Sequence, residues 1–426
     1  MLEPGGLFRS HLFTDVHRVP FYNIAEGYSF NFYDLFIILA FIKAIIKGKK
    51  TNFLFNKPLS LLFYYLIFLL LMGLVYGLNL ENIIYYSRFL STFSLFISFP
   101  YLVYKKGDVF HFIHLLLPIV FIVLVGQIFD IFTGKDLESL FLAPQTISAV
   151  SLAQLSSYEY TLRATRLSGI EVYFCFIFSI FFLTKKDYVG SRFYLYLIFS
   201  ISILSLLMTG VRSWIIMIAI FLILYSLFVS KRRVNIFLQL ALVLTIFFIL
   251  SYFFPRIYSS VLYSIKRLST VEYLIKGDLT AGRTLERITI RLPKVLKKFK
   301  EKPIFGWGFS DMYRRWGDHH VGNFNLLMQC GIFGFMFFLN FWISFYNMIS
   351  ECRKRLSEGN SLKQPLVVLI IAFIGMLILH FTSYQFFGFD LRQSHIFFIV
   401  AFISFSGFFI KEAEKRELLR SNLARK

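Results

Sequence analysis

The chain has 426 residues, 57% hydrophobic and 20% aromatic, with only 16% charged and a mean hydropathy of +0.66. So little charge excludes an ordinary soluble domain. The formal net charge of +21 would point to nucleic acid in a soluble protein, but here much of the Lys and Arg lies in short loops between apolar runs, where it sets membrane topology.

Apolar runs recur along the chain, each long enough to cross a hydrocarbon core of about 30 Å as a helix. The fold class expected is all-α, a polytopic transmembrane bundle of about 11–12 spans with a large helical loop outside the membrane. Eleven spans are centred on 32–48, 58–78, 83–104, 109–130, 169–184, 191–209, 213–230, 234–254, 323–346, 365–388 and 394–411. They divide the chain into N-terminal transmembrane helices (1–254), an outer loop (255–322), and C-terminal transmembrane helices with a cytoplasmic tail (323–426). No internal repeat of the transporter kind is apparent.

Loop charge orients the spans. Lys47, Lys49 and Lys50 follow the first, Lys105 and Lys106 the third, Lys185 and Lys186 the fifth, Lys231 to Arg233 the seventh, and Arg353 to Arg355 the ninth. Alternating spans put all of these on one side, the cytoplasm. Two long segments, 131–168 and 255–322, then lie outside. The N-terminus would lie outside too, and residues 1–30 lack the continuous apolar core of a signal peptide. The expectation is a missing or degenerate first helix, or a twelfth span hidden in 1–30.

Four arginines on or near the outer face stand out before the late loop. Arg88 is about five residues into its span, and a buried arginine in a membrane is a functional hypothesis by default. Arg163 and Arg166 precede the fifth span. Arg212 lies in the tight outer turn between the sixth and seventh, where snorkelling to headgroups is the bland explanation and Ser213 is a helix-cap candidate.

Residues 283–300 carry two helical stripes. Ile288, Leu292, Val295 and Phe299 form an apolar one. Arg283, Arg287, Arg291, Lys294 and Lys298 form a cationic one beside it. Pro293 lies inside and is expected to kink the helix. The bland reading is an interfacial helix whose basic face meets anionic membrane lipids. The functional reading, compatible with it, is a cationic wall for a phosphorylated substrate.

The stretch that follows, Pro303 to Gly334, concentrates the chemistry. It holds Gly306 and Gly308, the pair His319 and His320, and Gly331 and Gly334. An imidazole is the natural general base near neutral pH. His111, His114, His380 and His395 lack such surroundings. No carboxylate or thiol stands at helical ligand spacing beside the pair, and Asp318 is too close in sequence to form a metalloprotease motif, so no metal site is expected. Cys175, Cys330 and Cys352 show no metal-ligand spacing and no disulfide framework.

These residues resemble the O-antigen ligase and O-antigen/polysaccharide polymerase family of bacterial membrane glycosyltransferases. Pro303, Gly306 and Gly308 match its Pro-x-x-Gly-x-Gly. His320 stands 11 residues before Gly331 and 14 before Gly334, as the family's histidine does before its Gly-x-x-Gly. Thr209, Gly210 and Arg212 resemble its Thr-Gly-Ser-Arg turn, with Val211 for Ser. Arg283 after Gly282 is similar to its loop arginine, and Arg166 to Gly169 to its Arg-x-x-Gly. The family often has Asn directly after the histidine; here Val321 follows, and the amides are Asn323 and Asn325.

The resemblance implies a multi-pass protein of the bacterial inner membrane with its site facing the periplasm. It implies transfer of an undecaprenyl-pyrophosphate-linked oligosaccharide to an acceptor hydroxyl, with inversion and without metal ion, nucleotide sugar or other cofactor. The acceptor is a second lipid-linked glycan in a polymerase, the reading preferred here, or lipid A-core in a ligase. Membrane lipids and a chain-length regulator protein are the further partners it implies; nucleic acid is not one. His320 takes the role of base. Arg212 and Arg283 lead the pyrophosphate-binding set, with Arg166, Arg287 and Arg88 behind them. A flippase or transporter for lipid-linked sugars is less favoured, because apart from Arg88 and Glu171 charge within the spans is scarce. A structural or sensory membrane protein is the third class.

Overall fold

The computed structural model describes residues 20–25, 28–47, 57–78, 98, 106–133, 169–208, 212–229, 233–255, 258–259, 287–318, 321–382 and 393–424. Among these residues the fold is helical apart from one β-hairpin, β1 (Pro20–Ala25) with β2 (Tyr28–Asn31). The hairpin occupies the stretch in which a hidden first span was one expectation. Residues 20–25 and 28–31 are strand and not helix. The span expected at 83–104 falls almost wholly outside the described residues.

Contact clustering divides the chain into two units, residues 1–21 with 109–271 and residues 22–108 with 272–426.

The first unit contains α3 (Lys106–Thr133, all but its first turn), α4 (Gly169–Thr184), α5 (Arg192–Met208), α6 (Arg212–Phe228) and α7 (Arg233–Phe253). From Val172 to Lys185 every residue of α4 and its end is buried. A helix apolar on all sides belongs in the centre of a bundle, and rings supply the packing. Phe176 lies 5.6 Å from Phe199 of α5 and 5.1 Å from Phe221 of α6, and Tyr173 lies 5.8 Å from Trp214. One buried polar pair joins α3 to α5. The Ser205 hydroxyl donates to Gln127 Oε1 at 2.7 Å, and Gln127 Nε2 donates to the Ser205 carbonyl at 3.2 Å.

The second unit contains α1 (Phe32–Lys47), α2 (Lys57–Val75), the π-helical turn Arg287–Arg291, α8 (Leu292–Glu301), α9 (Asp311–Trp316), α10 (Asn323–Arg355), α11 (Lys363–Thr382) and α12 (Gln393–Ala424). α10 is its axis and packs against α2, α8, α11 and α12. Phe338 lies 5.5 Å from Tyr65 of α2, and Trp342 lies 5.4 Å from His380 of α11. Phe345 meets both Phe373 and Phe402. His380 is thus a fully buried member of an aromatic core.

Two described helices are long and apolar enough to cross a membrane, Lys57–Val75 and Asn323–Arg355. Seven shorter apolar stretches, such as Val172–Thr184 and Trp214–Phe228, accompany them.

Candidate functional site

The glycine motifs of the late segment turn out to be two halves of one device. α10 is broken at Gly331, whose φ of 64° and ψ of −175° lie outside the helical region. The break strips intrahelical partners from carbonyls before it and N–H groups after it, and buried backbone groups must be paired. Residues 303–309 pair them. Trp307 N–H donates to Met328 O at 3.0 Å and Gly308 N–H to Gln329 O at 2.7 Å. Ile332 and Phe333 N–H donate to Pro303 and Ile304 O, each at 2.9 Å. The close approach needs glycine on both strands of the contact. Gly306 has φ +68°, and a Cβ there would fall on Gln329 O and Gly331 N. Phe309 N–H donates to Leu69 O of α2 at 3.1 Å, so the same loop clamps α2 to α10.

The basic helix sits on this platform. Over its described residues, 287–300, it is not the one kinked helix expected from Pro293. A π-helical turn, Arg287–Arg291, hands over to α8, and Pro293 stands at the start of the α-helix, where a missing N–H costs nothing. Of the apolar stripe, Leu292, Val295 and Phe299 pack inward. Val295 is 1% exposed in a cluster with Trp307, Tyr313, Val321 and Met328, and Leu292 and Phe299 lie against it. The Trp307 indole N–H donates to Lys298 O at 2.9 Å.

Part of the cationic stripe is already engaged within the protein. Arg291 pairs with Asp318 at 3.4 Å. Lys298 pairs with Glu301 at 2.9 Å and lies 5.0 Å from the centre of the Trp316 ring. Lys302 lies 4.7 Å from the Tyr76 ring centre. Lys294, Lys297 and Lys300 are exposed to solvent.

From α8 the chain passes through the glycine loop into α9, capped by Ser310, and then toward α10. Here a polar network forms. Asn325, in the first turn of α10, is 1% exposed. Its Oδ1 accepts from the Asp318 N–H at 2.8 Å, and its Nδ2 donates to the Tyr313 hydroxyl at 3.0 Å. Val321 N–H donates to Asp318 O at 3.1 Å, so the chain leaves Asp318 and returns to it across one hydrogen bond. His319 and His320 are the two residues between. The Arg291–Asp318 pair, with side chains 43% and 25% exposed, adds about 0–1 kcal/mol. Breaking a buried amide's bonds costs about 1–3 kcal/mol for each group left unsatisfied. The amide is therefore the anchor of this segment, and the ion pair is secondary. Gln329, one turn further along α10, is fully buried, and among the described residues neither of its side-chain polar atoms has a hydrogen-bond partner.

His320, Arg283, Arg166 and Arg88 lie outside the described residues. Arg212 is the first residue of α6, in the first unit. Arg287 opens the π-helical turn, in the second. Their side chains, too, lie outside the described residues. What the structure adds is the frame around the histidine, which the sequence only partly signalled. Asn325 was visible there as an amide and Asp318 as a neighbouring acid, but their contact spans a turn that spacing does not reveal.

Residues 197–339 match the family described as O-antigen ligase. This stretch is similar to the O-antigen ligase family. It covers about a third of the chain, from within α5 to the middle of α10. The match spans the positions of Arg212, Arg283, Arg287 and His320 and both glycine motifs, whereas Arg88 and Arg166 precede it. No curated protein matches the chain. The late half of the match therefore takes in the broken first half of α10 and the loop that splints it.

Proposed function

We propose that the chain is a multi-pass glycosyltransferase of the bacterial inner membrane, acting at the periplasmic face on a glycan linked through pyrophosphate to undecaprenol. The observation that carries this reading is the O-antigen ligase family match over 197–339, which holds His320 and three of the candidate arginines on one continuous stretch. The acceptor is a second lipid-linked glycan, and the product a longer chain. A ligase that uses lipid A-core as acceptor is the second reading, and the family's own description favours it.

In either case the step is one displacement. The acceptor oxygen attacks the anomeric carbon, its proton passes to the His320 imidazole, and the bond from carbon to the pyrophosphate oxygen breaks with inversion. Negative charge grows on the leaving pyrophosphate. Guanidinium groups are suited to holding it because they stay charged and grip phosphate oxygens two at a time. Arg212 and Arg283 are assigned that role first, then Arg166, Arg287 and Arg88. The exposed Lys294, Lys297 and Lys300 of α8 face solvent and serve to draw anionic lipid toward the site.

The test uses purified protein, lipid-pyrophosphate glycan and either acceptor, with product length measured. His320→Ala should lower turnover by about 10²–10⁴-fold, the usual worth of a general base. Arg212→Ala should lower it by about 10²–10³-fold. Normal product from the His320→Ala protein would remove the histidine from the mechanism. Transfer to lipid A-core alone would decide for the ligase.

A further inference from the structure

We infer that Asn325 is a positioning residue, which through its buried side chain fixes the backbone at Asp318, the residue that leads into His319 and His320. The inference rests on the reading above, in which His320 is the base.

Three observations carry it. First, both ends of the amide are spent on this one task. Oδ1 takes the Asp318 N–H at 2.8 Å, and Nδ2 is held by the Tyr313 hydroxyl at 3.0 Å. The Asp318 N–H can only donate, so it fixes the oxygen end of the amide toward itself, and the Tyr313 hydroxyl, which can accept, takes the other end. Second, its neighbours are shaped to admit it. Gly317 carries no side chain where one would press on Asn325 Oδ1 and the Tyr313 carbonyl. Third, the network joins rigid elements. Tyr313 belongs to α9, Asn325 to α10, and both are buried, with Tyr313 packed in the cluster under α8. Asp318 and Val321 bracket the histidines, and the hydrogen bond between them at 3.1 Å carries the position of Asp318 across to Val321. A side chain that hangs on a loop is placed only as well as the loop is, and a shift of about 1 Å at a reacting group costs about 10²-fold in rate.

The test compares Asn325→Ala, Tyr313→Phe, the double variant and His320→Ala in the full-length purified protein, by turnover, KM for the lipid-linked donor and thermal melting. Asn325→Ala should lower kcat by about 10–100-fold with KM within about threefold, because the donor's pyrophosphate is held elsewhere. Tyr313→Phe keeps the ring in the core and removes only the hydroxyl that orients the amide. It should lower kcat by about 3–10-fold, and the double variant should be no worse than Asn325→Ala alone. If Asn325→Ala does not fold, Tyr313→Phe decides the matter by the same split. Loss through KM with kcat unchanged, or full activity in either variant while His320→Ala is dead, would overturn the inference and leave the histidine assignment standing. Full activity of His320→Ala would end both.

Discussion

Gly306 and Gly331 are bare because two backbones touch there. A Cβ at Gly306 would meet Gln329 O and Gly331 N, and one at Gly331 would meet Ile304 O and Gly306 N. Each also has a left-handed φ that costs an L side chain about 1–2 kcal/mol. Gly306→Ala and Gly331→Ala should each destabilise the protein by more than that strain, about 3 kcal/mol, seen as a fall in the melting temperature of detergent-solubilised protein. Gly77→Ala is the control. Its φ is +100°, but nothing lies within 4 Å of where its methyl would stand, so only the strain should appear. The buried pair Gln127–Ser205 makes a second prediction. Ser205→Ala removes the hydroxyl donor from Gln127 Oε1 inside the bundle and should cost about 1–2 kcal/mol, whereas Gln127→Leu combined with Ser205→Ala should recover part of the loss.

Among the elements, α12 shows what a long terminal helix does beyond its apolar part. Expected to end as a span near 411, it continues as helix to Ala424. Its polar end clasps the loop between α10 and α11. Asn360 Nδ2 donates to Ala413 O and to Glu417 Oε2, the Ser357 hydroxyl donates to the same carboxylate, and Arg420 donates to Gly359 O and Ser357 Oγ. Hydrogen bonding, chiefly from Asn360, holds the Glu417 carboxyl below its ordinary range. A lowered folded value means that the clasp's contribution is fully present above the unfolded value of about 4.3 and is lost as pH falls through the folded one. Protection of the 413–424 amides, taken relative to the intrinsic exchange rate at each pH, should therefore fall between pH 6 and pH 3. In Glu417→Gln that protection should already be lower at pH 6 and should lose its pH dependence.

For the chain in its membrane, charge and packing give separate predictions. The loops carrying Lys185 and Lys186, Arg232, and Arg353 to Arg355 should face the cytoplasm, and 131–168 and 255–322 the outside. Single cysteines introduced in those loops, in a cysteine-free background, should react with an impermeant thiol reagent in intact spheroplasts only at the outer positions. Labelling of a cysteine at 318 from the cytoplasmic side alone would reverse the topology and put the histidine on the wrong face.

Much of this was legible along the chain. Ten of the eleven expected spans coincide with described helices, among them Gly169–Thr184 and Arg192–Met208, because the apolar run that makes a span also makes a helix, and both are local. The Val295 stripe was legible for the same reason, since its period belongs to one helix. The engagement of Arg291 by Asp318, the splint of 303–309 along the broken α10, and the grip of Asn325 on the Asp318 backbone were not. Each is a meeting of residues far from helical or strand spacing, and a sequence read in windows has no term for it. Composition and periodicity thus dictated which segments are helical and which face is apolar. Folding alone settled which cations are already partnered and how the backbone around the histidine is held, because only three-dimensional packing decides which distant polar groups lie within about 3 Å of each other.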